Sequence, residues 1–221
     1  MLDAALLQQL PLFMAAVLVL NATPGVDLLL TVTRSAQSGV RAGAMAALGI
    51  NAGCALHALA AAFGLAALLA WSATAFGLLK WAGAAYLVWL GFGMLRNAWR
   101  TPATAAAEIT TQTLPRVSAL TDFRRGLLTN LLNPKVALFM LAFLPQFIPA
   151  TSAHKTLAFL ALGLLFIVQS LIFLLAVVLL TARLAQVSAL ARSARALQAA
   201  GGLLFLALAA RLAGTRLDTH G

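Results

Sequence analysis

The sequence predicts an all-α polytopic membrane protein, with six transmembrane helices arranged as two inverted three-helix repeats and helices 1 and 4 broken. Three observations predict this class. Of the 221 residues, 62% are hydrophobic and 9% charged, where a soluble globular chain carries roughly 45–50% and about 25%. The apolar residues gather in six charge-free runs that are continuous and Ala/Leu-rich, without the period-2 alternation of barrel strands. Two of the predicted spans are interrupted by Asn and Pro beside a charged residue. A soluble fold of this composition could not cover its surface with polar groups, and a disordered chain would need low hydrophobicity and high charge.

The charge-free runs cover 4–26, 42–79, 81–95, 136–154, 156–182 and 196–210. A helix needs about 20 mostly apolar residues to cross the hydrocarbon. The shorter runs gain a turn because Lys80 and Arg211 can extend toward the headgroups. The helices expected are therefore 4–22, 42–70, 76–95, 124–149, 156–182 and 196–214. Residues 1–10 contain Asp3 and no basic residue. A secretory signal starts with positive charge, so the first apolar run reads as a retained helix. Cys54 is the sole cysteine, which excludes an internal disulfide or a paired-cysteine metal site.

The net charge of +10 would suggest a nucleic-acid partner in a soluble protein. Here the basic residues follow the loops. With the N-terminus outside, Arg34, Arg41, Arg96, Arg100, Arg116, Arg124, Arg125, Arg183, Arg192 and Arg195 fall on the inner side. Lys80, Lys155, Arg211 and Arg216 fall outside, and Lys135 lies within a span. Cytoplasmic loops collect Lys and Arg, so this distribution places the N-terminus outside. The inner loop from Asn97 to Asp122 is Thr/Ala/Pro-rich, with no folded domain or nucleic-acid site in evidence. The whole chain, 1–221, is then a single transmembrane domain, with repeat 1 at about 1–95 and repeat 2 at about 123–214.

The interruptions carry the chemistry. An unbroken helix from Ala4 to Thr33 would run about 45 Å, longer than the hydrocarbon is thick. Within it lies Asn21-Ala22-Thr23-Pro24-Gly25-Val26-Asp27. Pro24 removes a donor and Gly25 tolerates unusual dihedrals, so the helix should break there. The fourth segment repeats the event at Thr129-Asn130-Leu131-Leu132-Asn133-Pro134-Lys135. Broken segments at corresponding positions of two inverted halves are the pattern of a transporter's central site; two ordinary proline kinks are the plainer alternative. Asp27 and Lys135 would each cost on the order of 3 kcal/mol facing lipid at mid-membrane, so each needs a partner or a wet cavity. They either form a structural salt bridge between the halves, or bind the charged ends of a zwitterion or exchange protons.

In helix 2, Gly49, Gly53, His57, Ala60 and Gly64 fall on one stripe that would admit a close neighbour. His57 is either a neutral hydrogen-bonding residue between helices or a proton relay. Cys54 reads as a packing residue, and Asn51 and Gln169 as interhelical glue or cavity lining. Trp71, Trp81 and Trp99 fit interfacial belts, whereas Tyr86 and Trp89 lie deeper. No nucleophile elbow, phosphate loop or zinc spacing occurs, so neither an enzyme nor a cofactor is expected, and energy coupling would come from an ion gradient.

Five motifs in order resemble the LysE/RhtB family of amino-acid exporters. They are Thr23-Pro24-Gly25-Val26-Asp27-Leu28, the run from Arg34 to Gly43, Ala47-Leu48-Gly49-Ile50 with Gly53, Leu79 to Gly91, and Phe123 through Asn130, Asn133, Pro134 and Lys135 to Leu144-Pro145-Gln146-Phe147. Two departures stand out: the family commonly continues Pro24-Gly25 with a second proline, where this chain has Val26, and commonly carries a polar or acidic residue near Cys54. The resemblance implies efflux of amino acids or close derivatives, of the homoserine, threonine, leucine or lysine type, driven by the proton-motive force. Its partners would be the amino acid, protons and the lipid bilayer, with a homo-oligomer left open. Residues expected to bind substrate or couple ions are Asp27, Lys135, Asn21, Pro24, Gly25, Asn130, Asn133, Pro134 and His57. A non-transporting scaffold that binds partner helices, or efflux of another small polar solute or cation, are the competing readings.

Overall fold

The computed structural model describes residues 4–71, 73–100, 117–148, 152, 154–183 and 198–210. Every element among them is helical. They run α1 (Ala4–Ala22), α2 (Val26–Ser38), α3 (Val40–Trp71), α4 (Ala73–Arg100), α5 (Ala119–Leu131), α6 (Pro134–Phe143), a 3-10 turn (Leu144–Phe147), α7 (Lys155–Arg183) and α8 (Gln198–Ala210).

Both expected breaks are present. α1 and α2 meet at 57° and α5 and the α6 segment at 53°, each across a gap of a few residues. At the first break Thr23 N still donates to Val19 O (3.0 Å), Pro24 has no proton to give, and Leu29 N to Gly25 O (2.9 Å) opens the new ladder. At the second, Asn133 caps α6 with its side chain and Pro134 takes the first helical position, where a missing N–H is harmless. Val26 occupies the equivalent first position of α2.

Several boundaries differ from expectation. α3 starts at Val40 because Gly39, at φ +84°, turns the chain tightly out of α2. α5 starts at Ala119, because Ser118 accepts from Thr121 N and so fixes the helix start. Asp122, expected at the edge of a loop, is thereby buried in a helix. The fourth segment ends in the 3-10 turn instead of running to 149. By length and composition two helices cross a membrane alone, Val40–Leu65 and Lys155–Ala182, and up to four spans result if each bent pair counts as one. That falls short of six: α8 has thirteen described residues, and α4 is diluted by Lys80, Arg96 and Arg100. The centre of the expected inner loop and Arg211 and Arg216 lie outside the described residues. The fold is thus an all-α polytopic membrane fold with two broken helices.

α3 and α7 pack together at the centre. α3 also takes α2, α5 and α6, and α7 takes α1 and α2. Phenylalanines knit α1, α6, α7 and α8: Phe139 lies 4.4 Å from Phe143, 5.8 Å from Phe166 and 6.3 Å from Phe205, and Phe13 lies 5.3 Å from Phe147.

Candidate functional site

The two breaks face each other and exchange side chains. Asp27, in the first turn of α2, accepts from Asn130 Nδ2 (2.9 Å) and Asn133 Nδ2 (3.0 Å), both at the second break. Lys135, in the first turn of α6, donates through Nζ to Leu20 O (2.8 Å) and Thr23 O (3.1 Å), both at the first break. Dipole logic accounts for the crossing. An acid suits the N-terminal end of α2. A lysine at the N-terminal end of α6 does not suit its own helix, but its four-carbon stem delivers the ammonium to the C-terminal carbonyls of α1, where positive charge is favoured.

Asp27 and Lys135 therefore form no direct salt bridge, contrary to one of the two expectations. The halves are held in register through neutral intermediaries. Asp27 Oδ1 is left buried without a protein partner, as are Asn21 Nδ2 and Asn130 Oδ1. Asn133 also turns its Oδ1 to Lys135 N (3.0 Å), so one residue fixes both charged groups.

A cavity of about 30 Å³ lies between the breaks. Asp27, Lys135, Asn21, Gly25 and Asn133 line it, together with Thr23 and Ser170. Its walls are apolar: Leu20, Leu28, Ile50, Val136, Phe166 and Leu174, with Cys54 among them. Gly25 is extended (φ −157°), and a Cβ there would lie in ordinary van der Waals contact with Lys135 Nζ, at 3.6 Å. Pro24 and Pro134 shape the breaks but are exposed and do not line the cavity.

His57 is also outside the lining. Its Nε2 lies 3.2 Å from Asn130 O, the carbonyl that Pro134 cannot serve. This agrees with the reading of a histidine hydrogen-bonded between helices. Tyr86 donates to Lys135 O at 3.2 Å, while Trp89 is 70% exposed. The stripe on α3 divides: Gly49 and Gly53 pack on α5, whereas nothing approaches Gly64.

Sequence reasoning missed Thr23, which contributes a carbonyl, and Ser170, whose signal was a hydroxyl inside an apolar span beside the noted Gln169. It also missed Asp122, whose carboxylate pairs with Arg34 at 2.7 Å, the one ion pair among the described residues. No group of three or more His, Cys, Asp or Glu among those residues is placed to hold a metal ion.

The chain matches the model of the LysE type translocator family over residues 18–216. It is 34% identical over 197 residues to a homoserine/homoserine lactone efflux protein of Salmonella typhi, covering 89% of this chain and 92% of the relative. It is 31% identical over 191 residues to a leucine efflux protein of Salmonella choleraesuis (86% and 87%). An uncharacterized membrane protein of Pseudomonas aeruginosa is 39% identical over 165 residues (73% and 74%). No solved structure matches the chain significantly.

Proposed function

The chain belongs to the LysE type translocator family, and from that premise we propose that it exports amino acids or close derivatives across the inner membrane in exchange for protons. The observation that carries this reading is the crossed bonding of the two breaks around one small cavity. An α-amino acid presents an ammonium and a carboxylate a few ångströms apart. The cavity offers a free carboxylate oxygen on Asp27, a free amide donor on Asn21 and the Lys135 ammonium, with carbonyls from the end of α1. The half-helix ends supply further N–H and C=O groups of the right polarity for each pole. Substrate-binding or coupling roles accordingly go to Asp27, Lys135, Asn21, Gly25, Asn130 and Asn133. Pro24 and Pro134 create the ends that these groups use, and His57 supports the second of them.

The cavity's leucine, isoleucine and phenylalanine walls favour an uncharged side chain, in keeping with relatives named for homoserine and leucine efflux. Some 30 Å³ has room for water but not for an amino acid, so the site widens to load. In this reading the chain is one transmembrane domain of six spans. Three lie in each half, the halves are inverted, and the N-terminus is outside.

The test is uptake of a panel of labelled amino acids into inverted vesicles, with and without an imposed pH gradient. A neutral amino acid should accumulate when the lumen is acidic. Asp27→Asn should abolish that accumulation while leaving membrane insertion intact. Normal flux in Asp27→Asn/Lys135→Gln would show that the charged groups only hold the halves together.

A further inference from the structure

The Arg34–Asp122 pair plays no part in the proposed site, yet it sits on the same two helices. Asp27 and Arg34 are seven residues apart on α2, and Asp122 and Asn130 eight apart on α5, so each pair shares one helix face. α2 and α5 are consequently clasped twice on facing sides. Asp27 meets Asn130 at the cavity, and two turns away, about 10 Å along the axes, Arg34 meets Asp122. Beyond the ion pair the described residues frame an open recess of about 620 Å³, with 38–42 on one side, 117–119 on the other and Asp122 lining it.

The clasp is incompletely bonded. Both side chains are buried, 4% and 2% exposed, yet they share one hydrogen bond from Arg34 Nε instead of the two-pronged contact arginine can make. Arg34 Nη2 is buried with no partner. The two helices are also unequally anchored. α5 is pressed backbone to backbone on α3 at Gly49 and Gly126. α2 rests on α3, where Ser35 sits over Gly43, and on α7, and it is bounded by the Thr23–Gly25 break at one end and by Gly39, at φ +84° with open space around it, at the other.

We infer that Arg34 and Asp122 form the gate between the cavity and the recess, and that α2 swings from α5 when they separate. One motion then breaks both clasps, freeing Asp27 from Asn130 as the path opens. The inference rests on the exporter reading for its purpose, but its structural content can be tested apart from transport.

Cys54 lines the cavity, is 1% exposed and is the sole cysteine. Its reaction rate with N-ethylmaleimide in the purified protein therefore reports opening. Removing one partner leaves an uncompensated buried charge, so Asp122→Asn and Arg34→Gln should label on the order of tenfold faster than wild type or more. The reciprocal swap Arg34→Asp/Asp122→Arg should return toward the wild-type rate. Variants that elute as a single species with unchanged helical circular dichroism, yet label at the wild-type rate, overturn the gate. Should the single variants not fold, Arg34→Cys/Asp122→Cys/Cys54→Ala decides. A short bis-methanethiosulfonate cross-link should stop export and a reductant should restore it, whereas export through the cross-linked protein overturns the gate. Absence of any flux in wild-type vesicles would sink the exporter reading and leave the labelling result standing.

Discussion

Two carbonyl groups account for the placement of two very different side chains. A proline cannot donate to the residue four positions before it, so Pro24 strips the Leu20 carbonyl of its helical partner and Pro134 strips that of Asn130. Lys135 Nζ serves the first at 2.8 Å; the second keeps a backbone donor, Asn133 N at 2.9 Å, and adds His57 Nε2 at 3.2 Å. A carbonyl only accepts, so the proton between His57 and Asn130 belongs to Nε2. Losing the His57 bond leaves the Asn130 carbonyl its Asn133 donor, so the cost is that of one hydrogen bond, about 0.5–1.5 kcal/mol. His57→Gln, which retains a donor, should keep thermal stability and flux near wild type, and His57→Leu should lower both; melting curves and vesicle uptake read the two effects. If His57→Gln folds normally but its flux no longer responds to the pH gradient, the histidine carries protons instead. Asp27 and Lys135 were legible in the sequence because a charge inside an apolar span is costly and must be housed. The partners of Asp27, Asn130 and Asn133, were legible too, as polar side chains beside Pro134; the partners of Lys135 were not, because a backbone carbonyl looks the same in every residue. Asp122 was hidden for another reason: it borders a polar loop, where an acid excites no suspicion.

Between elements, glycine decides how closely α3 and α5 approach. A Cβ at Gly53 would lie 2.6 Å from Asn130 Oδ1, and one at Gly126 or Gly49 would strike the backbone carbonyl of Ala46 or Phe123. Backbone cannot step aside, so Gly126→Val should abolish a monodisperse, folded protein. Gly64→Ala should instead leave flux intact and raise the melting temperature, since nothing lies within 4 Å of that site and alanine is favoured in a helix interior by about 1 kcal/mol. Size-exclusion profiles and melting curves of the two variants check the contrast. The stripe from Gly49 to Gly64 was visible as a spacing, but its extent was not. α5 stops at Leu131, opposite His57, so Gly53 is covered by Asn130 while Ala60 and Gly64 have passed the end of the partner helix. Spacing along one helix carries no information about where its neighbour ends. The breaks were better marked, since Pro and Asn act through local geometry at the positions they occupy.

At the scale of the molecule, the succession of elements repeats: a bent pair, a long helix, then another helix, first in α1 to α4 and again in α5 to α8. The packing reciprocates in part, with α1 and α2 on α7 and α5 and α6 on α3, although α2 packs on α3 as well. Hydropathy announces a membrane protein but counts spans poorly here, because proline divides two of them and cations dilute α4. Inversion of the halves follows only if each half crosses three times. Ala36 and His154 make that condition measurable. Each lies near the junction between the bent pair and the long helix of its half, and each is exposed. Three crossings per half put them on opposite faces; an even number puts them on the same face. In a Cys54→Ala background, His154→Cys should react with a membrane-impermeant maleimide on intact cells, and Ala36→Cys only after permeabilisation. Labelling of both from one side would mean that the halves run parallel. The crossed bonds of Asp27 and Lys135 would then join two similar breaks without the alternation between faces that inverted halves provide. Labelling in the reverse order would preserve the inversion and turn the molecule over, placing the Arg34–Asp122 pair at the outer face.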